Sequence, residues 1–352
     1  MKKDILELEL PEIEALTAEL GEKKFRAAQL YSWLHEKLVL SFSEMTNLSK
    51  SFREKLESEY TICSPEIIDC LISEKDGTRK YILGFEDGNV IETVLMKYHH
   101  GNTVCVSSQA GCRMGCRFCA STIDGLSRNL TAAEILSEVY TIERDLRKLD
   151  EPERVSNIVI MGSGEPLDNF DEAVRFIRLA SAPGGLNISM RNITLSTCGL
   201  APEIRKLADL EMPITLALSL HASTQEKREE IMPVSKMYSL KEVFAALKYY
   251  YDKTGRRLTF EYSLLSGVND TEEEALRLAA LLKPMHGHVN LIPVNPVTER
   301  DFTPPDRKRV YAFQAVLNDN GVNATVRREM GRDIDSACGQ LRRRYISSKA
   351  AQ

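Results

Sequence analysis

From about residue 100 onward, short β-branched runs alternate with amphipathic stretches of helical period, and no other feature restricts the fold as strongly. Candidate strands fall at 104–107, 155–161, 193–197, 214–220, 258–264, 289–293 and 322–327. The helical signal is clearest after the first of them. Thr131 and Glu134 have capping-box spacing, and Ile135, Val139, Ile142 and Leu146 recur on one face. Repeated strand–helix units build a parallel sheet, which either stays open or curls into a partial barrel. In such folds the chemistry gathers at the C-terminal ends of the strands, so the loops after each strand are where functional residues are expected.

The first hundred residues follow other periods. In 1–62, Leu30, Leu34 and Leu38 recur every fourth residue around Tyr31 and Trp33. Ser49 or Ser51 is placed to cap a helix carrying Phe52, Leu56 and Tyr60. In 63–100 the turn dipeptides Asp76-Gly77 and Asp87-Gly88 separate apolar runs at 67–68, 81–83 and 90–96, which predicts a small antiparallel meander. The expected organisation is a helical domain over 1–62, a meander over 63–100, an α/β core over 101–345 and a tail over 346–352.

Hydrophobic residues at 43% and charged residues at 28% of 352 are ordinary for a soluble globular chain and exclude disorder on a large scale. No apolar run reaches the about 18 residues of a membrane span. The start, Met1-Lys2-Lys3-Asp4, lacks the apolar core of a secretory signal. A cytoplasmic protein with no membrane partner is expected. The net charge of −5 argues against a general nucleic-acid binder. That average hides two basic stretches. Residues 22–55 hold seven Lys/Arg against four Glu, and residues 326–349 hold seven against three acidic residues. Each is either a solvated face or a surface for phosphate.

Eight cysteines in a cytosolic chain point to metal, cluster or redox chemistry, not to a disulfide framework. Three of them lie in Gly111-Cys112-Arg113-Met114-Gly115-Cys116-Arg117-Phe118-Cys119, a C-x3-C-x2-C spacing just after the first core strand. Three thiolates on one short loop can ligate three irons of a [4Fe–4S] cluster and leave the fourth open. The competing reading is structural zinc, which needs four protein ligands, usually as two separated pairs. Cys105 is available as a fourth ligand, but no second C-x2-C pair exists.

This loop resembles that of the radical S-adenosylmethionine superfamily, whose open iron chelates the amino and carboxylate groups of S-adenosylmethionine. Further matches along nearly the whole chain resemble the RlmN/Cfr family of adenine methyltransferases. They are closest to its dual-specificity branch, which methylates C2 of an adenine in 23S rRNA and in a subset of tRNAs. The resemblance implies a partial (β/α)6 barrel with a small N-terminal helical domain for RNA and a β-meander extension. It implies one [4Fe–4S] cluster on Cys112, Cys116 and Cys119 and two molecules of S-adenosylmethionine per turnover. A flavodoxin-type electron donor and a monomeric chain are also expected.

The remaining site residues are legible mainly through that resemblance. Gly162-Ser163-Gly164-Glu165-Pro166 follows the second core strand, and the resemblance assigns Gly164 and Glu165 to S-adenosylmethionine. Ser196 in Ser196-Thr197-Cys198-Gly199, Ser219, Leu220 and His221 in Ser219-Leu220-His221-Ala222, and Asn295 in Pro293-Val294-Asn295-Pro296 are assigned likewise. Taken singly, such residues at strand ends are ordinary turn chemistry. Cys338 follows Asp333-Ile334-Asp335, with Arg332 and Arg342 nearby to favour a thiolate. The resemblance makes it the methyl-accepting cysteine. Cys105 reads by alternation as a small core residue, and the resemblance makes it the second reactive cysteine. Glu92 reads as a surface strand residue, and it matches a glutamate that accepts a proton. Cys63, Cys70 and Cys198 match no catalytic position and are expected to be structural.

An aromatic C2–H is no nucleophile, so its methylation calls for radical chemistry and a cofactor. The resemblance implies that the Cys338 thiolate takes a methyl group by displacement. A radical produced at the reduced cluster then abstracts hydrogen from that methyl group, and the carbon radical adds to adenine C2. Loss of the C2 proton and attack of Cys105 on the Cys338 sulfur release the RNA and leave a disulfide, which thiol exchange resets. Either Cys105 or Glu92 can serve as the base. The target adenine must leave its stack, which is cheapest in an RNA loop. The N-terminal helices and the Arg342-Arg343-Arg344 run are expected to hold the RNA backbone. Three rivals compete. A C8-adenine methyltransferase giving antibiotic resistance would use the same cysteines, although Pro166, the Thr259-Phe260-Glu261-Tyr262 segment and the Leu291-Ile292-Pro293 segment look C2-like. A glycyl-radical activase would not need Cys338 and Cys105. A zinc-bearing RNA-binding protein would have no catalysis.

Overall fold

The computed structural model describes residues 2–285, 287–334, 341–342 and 345. Cys338, Arg343, Arg344 and the 346–352 segment lie outside these. The N-terminal region runs β1 (Lys3–Asp4), α1 (Leu10–Glu19), α2 (Phe25–His35), α3 (Lys50–Glu59) and β2 (Tyr60–Thr61). The parallel pairing of β1 with β2 ties its two ends together. Ser49 caps α3 by accepting from the Phe52 amide at 3.2 Å. Leu30 and Leu34 are buried as their period requires, whereas Leu38 lies beyond the end of α2 at a left-handed φ of 57° and is still buried.

A meander follows: β3 (Glu66–Ile72), β4 (Arg79–Gly84) and β5 (Val90–Tyr98), all antiparallel neighbours. Its last strand pairs antiparallel with β6 (Gly101–Val106), the first strand of the core. The meander is therefore not a separate small sheet; it extends the main one. Two short strands, β7 (Gln109–Gly111) and β8 (Leu126–Asn129), pair antiparallel and bracket the cysteine loop. The core continues as α4 (Ala132–Arg147), β9 (Val155–Ile160), α5 (Phe170–Ser181), β10 (Ile193–Thr197), α6 (Ala201–Asp209) and β11 (Thr215–Ser219). It ends with α7 (Gln225–Ile231), α8 (Leu240–Thr254), β12 (Leu258–Leu264), α9 (Glu272–Leu282), β13 (His288–Pro293), α10 (Arg307–Asp319) and β14 (Asn323–Val326).

The sheet order is β14-β13-β12-β11-β10-β9-β6-β5-β4-β3. From β6 to β14 every pairing is parallel and the order never reverses. Right-handed crossovers in unbroken sequence put all connecting helices on one face, and the sheet curls around the other. Six strand–helix units, starting with β6/α4 and ending with β13/α10, lead to β14. Among the described residues no strand pairs with the outer edge of β14 or β3, so the barrel is partial.

Helix α4 is the wall shared by all parts. The Thr131–Glu134 capping box forms, and Ile135, Val139, Ile142 and Leu146 are fully buried. On its outer side Tyr140 Oη lies 2.6 Å from His35 Nδ1, and Arg147 donates to the Glu36 carbonyl at 2.6 Å. The apolar side chains of the N-terminal helices belong to the same core as those of the barrel. Among the described residues no helix is long and apolar enough to cross a membrane.

Candidate active site

Period-two alternation splits the meander into two faces. Tyr81, Leu83, Ile91, Leu95, Val104 and Val106 point into the main core. The opposite face carries Lys80 and Ile82 from β4, Glu92, Val94 and Met96 from β5, and Cys105 from β6, with Lys80 opposite Val94 and Val94 opposite Cys105. The C-terminal segment covers this second face. Leu341 packs on Ile82 and Val90, and Met330 packs on Met96 and Cys105. Beside Met330 lies a cavity of about 80 Å³ lined by Lys80, Val94, Met96, Cys105, Asn295 and Arg327.

Glu92 is buried on this face, contrary to its reading as a surface strand residue. It forms an ion pair with Lys80 at 3.3 Å, and Lys80 itself is only 1% exposed. The Arg342 amide donates to Glu92 Oε1 at 2.6 Å, and Arg342 Nε donates to the Val90 carbonyl at 2.6 Å. Arg342 is thus turned into the protein, and burial lowers its pKa. This corrects its expected place on an RNA-facing basic run. Arg332 spends its charge on Glu329. Upstream of Cys338, Asp333 accepts from Ser73 Oγ at 2.7 Å and from the Glu74 amide at 3.0 Å. The Gly331 amide donates to Asp76 at 2.9 Å. Gly331, Asp333 and Arg342 are therefore each bonded to the meander.

The cysteine loop leaves β7 through Gly111, where φ is +87° and a Cβ would meet the Gly125 carbonyl oxygen at 2.1 Å. Only glycine fits there. The Cys112 amide donates to that same carbonyl at 2.9 Å. Thr122 Oγ1 donates to the carbonyls of Cys116 and Cys119 at 2.9 and 3.0 Å, closing the loop. Arg113 clamps Asp168 through two hydrogen bonds, and the Arg117 amide reaches the Ile231 carbonyl at 2.9 Å. The loop is thereby tied to the turns after β9 and β11. Burial raises the Cys112 thiol to about 12 and raises Cys116 further, with the neighbouring thiols adding to the shift. Such thiols become thiolates only when a metal displaces their protons.

The other predicted residues lie at the C-terminal ends of successive strands. Glu165 is fully buried behind β10. Its Oε2 accepts from the Cys198 amide at 2.7 Å and its Oε1 from the Leu167 amide at 3.1 Å, while burial raises its pKa. Gly164 has φ +108°, and a Cβ there would collide with Ser108 and Gln109 at 2.7 Å. Its freedom thus serves the packing of two loops. Ser196 and Ser219 meet across β10 and β11 with their hydroxyls 3.3 Å apart. Leu220 is buried, and its amide donates to the Glu261 carbonyl at 3.0 Å. His221 holds a left-handed φ of 57°. Its Nδ1 accepts from the Ser263 amide at 2.9 Å, so the proton sits on Nε2, and burial lowers its pKa to about 3. Its ring meets that of Phe118 from the cysteine loop edge-on at 4.8 Å. Asn295 is brought not to these serines but to the cavity with Cys105.

Sequence reasoning passed over three residues. Lys80 carried no signal in an alternating strand. Gln109 is fully buried, accepts from the Glu165 amide at 2.9 Å and donates to Asp168 at 3.0 Å. Arg228 is fully buried beneath the strand ends. Its position on the inner face of the seven-residue α7 was the only signal available.

A partial barrel of sequentially ordered strands, with three cysteines on the loop after its first parallel strand, defines a radical S-adenosylmethionine enzyme. Residues 106–279 match that superfamily. Residues 3–62 match the ribosomal RNA large subunit methyltransferase N-terminal domain. The chain is 56% identical over 347 residues to a protein of Clostridium perfringens named "Probable dual-specificity RNA methyltransferase RlmN", with 99% of each chain covered. A protein of the same name from Lachnoclostridium phytofermentans is 56% identical over 351 residues, covering 100% of this chain and 97% of that one. The crystal structure of a radical SAM methyltransferase from Sphaerobacter thermophilus is 39% identical and superposes with a TM-score of 0.91, covering 96% of this chain and 98% of that one. The chain belongs to the RlmN family of radical SAM methyltransferases.

Enzymes of this superfamily use a [4Fe–4S] cluster and S-adenosylmethionine. The donor set fits the cluster. Among the described residues no three His, Cys, Asp or Glu side chains converge on one point, as a mononuclear site requires. A four-iron cluster instead takes one thiolate on each of three separate irons.

Proposed function

We propose that this chain methylates C2 of an adenine in 23S rRNA and in a subset of tRNAs, using Cys338 as the carrier of the methyl group. The observation that carries the proposal is the chamber between meander and barrel. It is lined by Cys105 and by Lys80, the ion-pair partner of Glu92, together with Met330 and Ile334 of the chain that leads toward Cys338. Cys112, Cys116 and Cys119 would hold three irons of the cluster, Gly164, Glu165, Ser196, Ser219, Leu220 and His221 would surround S-adenosylmethionine, and Asn295 would reach it from the Cys105 cavity. When bound, this cofactor pair supplies the radical chemistry that an unreactive C–H bond needs.

The chain's own residues supply the rest. The Cys338 thiolate accepts a methyl group by displacement, one sulfur–carbon bond forming as the sulfonium bond breaks. Glu92, ion-paired with Lys80, takes the C2 proton from the adduct. Cys105 then attacks the Cys338 sulfur; the sulfur–carbon bond breaks with its electron pair on the methylene carbon, which takes a proton to become the methyl group, and the disulfide that remains is reduced by an external thiol. Residues 1–62 and the basic residues beyond Arg342 present charge to the RNA backbone. A flavodoxin-type donor supplies electrons to a monomeric enzyme in the cytoplasm, where both RNA substrates reside. The test is the nucleoside that the anaerobically reconstituted full chain forms on 23S rRNA and tRNA. Mass spectrometry is expected to give 2-methyladenosine on both; 8-methyladenosine would overturn the proposal.

A further inference from the structure

Arg228 is the largest fully buried side chain among the described residues, at 0% exposure. All of its hydrogen bonds go to neutral acceptors. Nε donates to the Leu220 carbonyl at 3.1 Å, Nη1 to Ser235 Oγ at 2.8 Å, and Nη2 to the carbonyls of Cys198 and Ser219 at 2.5 and 3.1 Å. Among the described residues no carboxylate lies within ion-pair distance of it. That of Glu165, the one whose charge reaches it, gives both oxygens to backbone amides. Burying a charge without a partner is strongly unfavourable, and burial does lower the pKa of Arg228. A fully buried cation with no described carboxylate in ion-pair distance is suited to an anion bound from outside the chain.

The surroundings say where that anion sits. Arg228 lies on α7, whose last residue, Ile231, accepts from the Arg117 amide of the cysteine loop at 2.9 Å. Pro233, just after α7, packs 3.5 Å from where a Gly115 Cβ would be. We infer that Arg228 is the internal countercation of the loaded cysteine loop, balancing the negative charge of its three thiolates and favouring one-electron reduction of the cluster they hold. This rests on the assignment of Cys112, Cys116 and Cys119 as cluster ligands. Net charge and burial are among the factors that set a cluster's reduction potential, and reduction adds one negative charge to the loop that α7 contacts. The same guanidinium pins the ends of β10 and β11, so it couples the geometry of the Ser196–Ser219 pair to the charge of the loop.

The experiment is a potentiometric titration followed by electron paramagnetic resonance. It uses the reconstituted full chain with dithionite as the one-electron reductant. Arg228→Met is expected to shift the midpoint to a more negative potential than wild type. Arg228→Lys keeps the charge with fewer hydrogen bonds and is expected to stay close to wild type. Arg117→Met removes an exposed arginine from the same loop and is expected to leave the midpoint unchanged. If Arg228→Met takes up no iron while Arg228→Lys takes up the wild-type amount, charge governs loading and the inference stands. It is overturned if Arg228→Met loads fully with an unchanged midpoint, or if the lysine and methionine variants are equally defective. A wild-type chain that bound no iron would instead remove the cluster assignment on which the inference rests.

Discussion

Lys80 and Arg228, the two most deeply buried cations among the described residues, are balanced in different ways. Lys80, on the meander, has its partner in the chain: Glu92 lies 3.3 Å away. Arg228, under the cysteine loop, meets only carbonyls and a hydroxyl. A buried charge is tolerated when something of opposite sign and good geometry accompanies it. The meander side is therefore electrostatically complete as folded, and the barrel side is completed by what it binds. This division matches the work proposed for each. One side moves protons and exchanges sulfur bonds with its own residues, and the other hosts an anionic metal centre.

The most direct way to break the comparison is to remove one cysteine from each side. Cys116→Ala is expected to lose iron and methyl transfer together, a fall of about 10³-fold or more, as when one member of a catalytic unit is deleted. Cys105→Ala is expected to keep its iron and lose turnover as severely, but to accumulate a covalent protein–RNA adduct. Iron analysis and denaturing gels separate the two. A Cys105→Ala enzyme that stayed free of RNA under turnover conditions would remove the resolving role of Cys105.

Next in size is the ion pair itself. Lys80→Met leaves Glu92 buried without its cation and is expected to cost about 3–5 kcal/mol in urea unfolding of the iron-free chain. Lys80→Met with Glu92→Leu is expected to regain much of that loss, because a buried pair is replaced as a whole by apolar groups. Methyl transfer stays lost in both. If the double variant were no more stable than Lys80→Met, the partnership of Lys80 and Glu92 would not be what balances the meander.

These tests depend on residues whose legibility in the sequence was uneven. The β/α alternation gave the core strands to within about three residues, and the Thr131 box and the cysteine spacing were readable because each is local. Glu92 and Lys80 were not. Their partner positions are set by the β4–β5 register and by a cover more than two hundred residues downstream. The meander's continuity with the barrel was equally invisible, because two antiparallel turns look alike whether the sheet stops or goes on. Arg342 was misplaced for a related reason: a run of three arginines reads as surface until a backbone amide is found bonded to a buried carboxylate. Arg228 sits among five charged or polar neighbours in a short helix, and only its position on the helix's inner face marks it as the one that turns inward.

A third treatment of buried charge, neutralisation, appears at the N-terminal side and gives a smaller, pH-dependent effect. His35 is fully buried with Nδ1 against Tyr140 Oη, and burial lowers its pKa to about 3. Its folded pKa lies below the unfolded value of about 6.5, so the unfolded chain binds the extra proton between those values. The stability this neutral ring contributes is fully present above about pH 6.5 and falls as pH drops toward 3. The slope is up to about 1.4 kcal/mol per pH unit. His35→Gln is expected to flatten the acid limb of stability against pH by one such group. An unchanged limb would mean that His35 is protonated in the folded state, and that the N-terminal helices balance charge as the meander does.

The smallest effect tests whether the two sides are independent at all. Thr131 caps α4 through the Glu134 amide at 3.3 Å, and Glu134 returns a bond to the Thr131 amide at 2.9 Å. Thr131→Ala is expected to cost about 1 kcal/mol. Helix α4 also carries Glu138, whose buried carboxyl group accepts from Thr93 on the meander and from the Ser107 amide at 3.0 Å. Thr93 follows Glu92 on β5 but faces the other way, into the core. The cap and the ion pair share no partner, so Thr131→Ala and Lys80→Met are expected to add within about 0.5 kcal/mol in a double-mutant cycle. Coupling beyond that would mean that the Thr93–Glu138 contact carries strain from the meander into α4. The ion pair would then be part of the barrel's own support instead of a self-contained device on its edge.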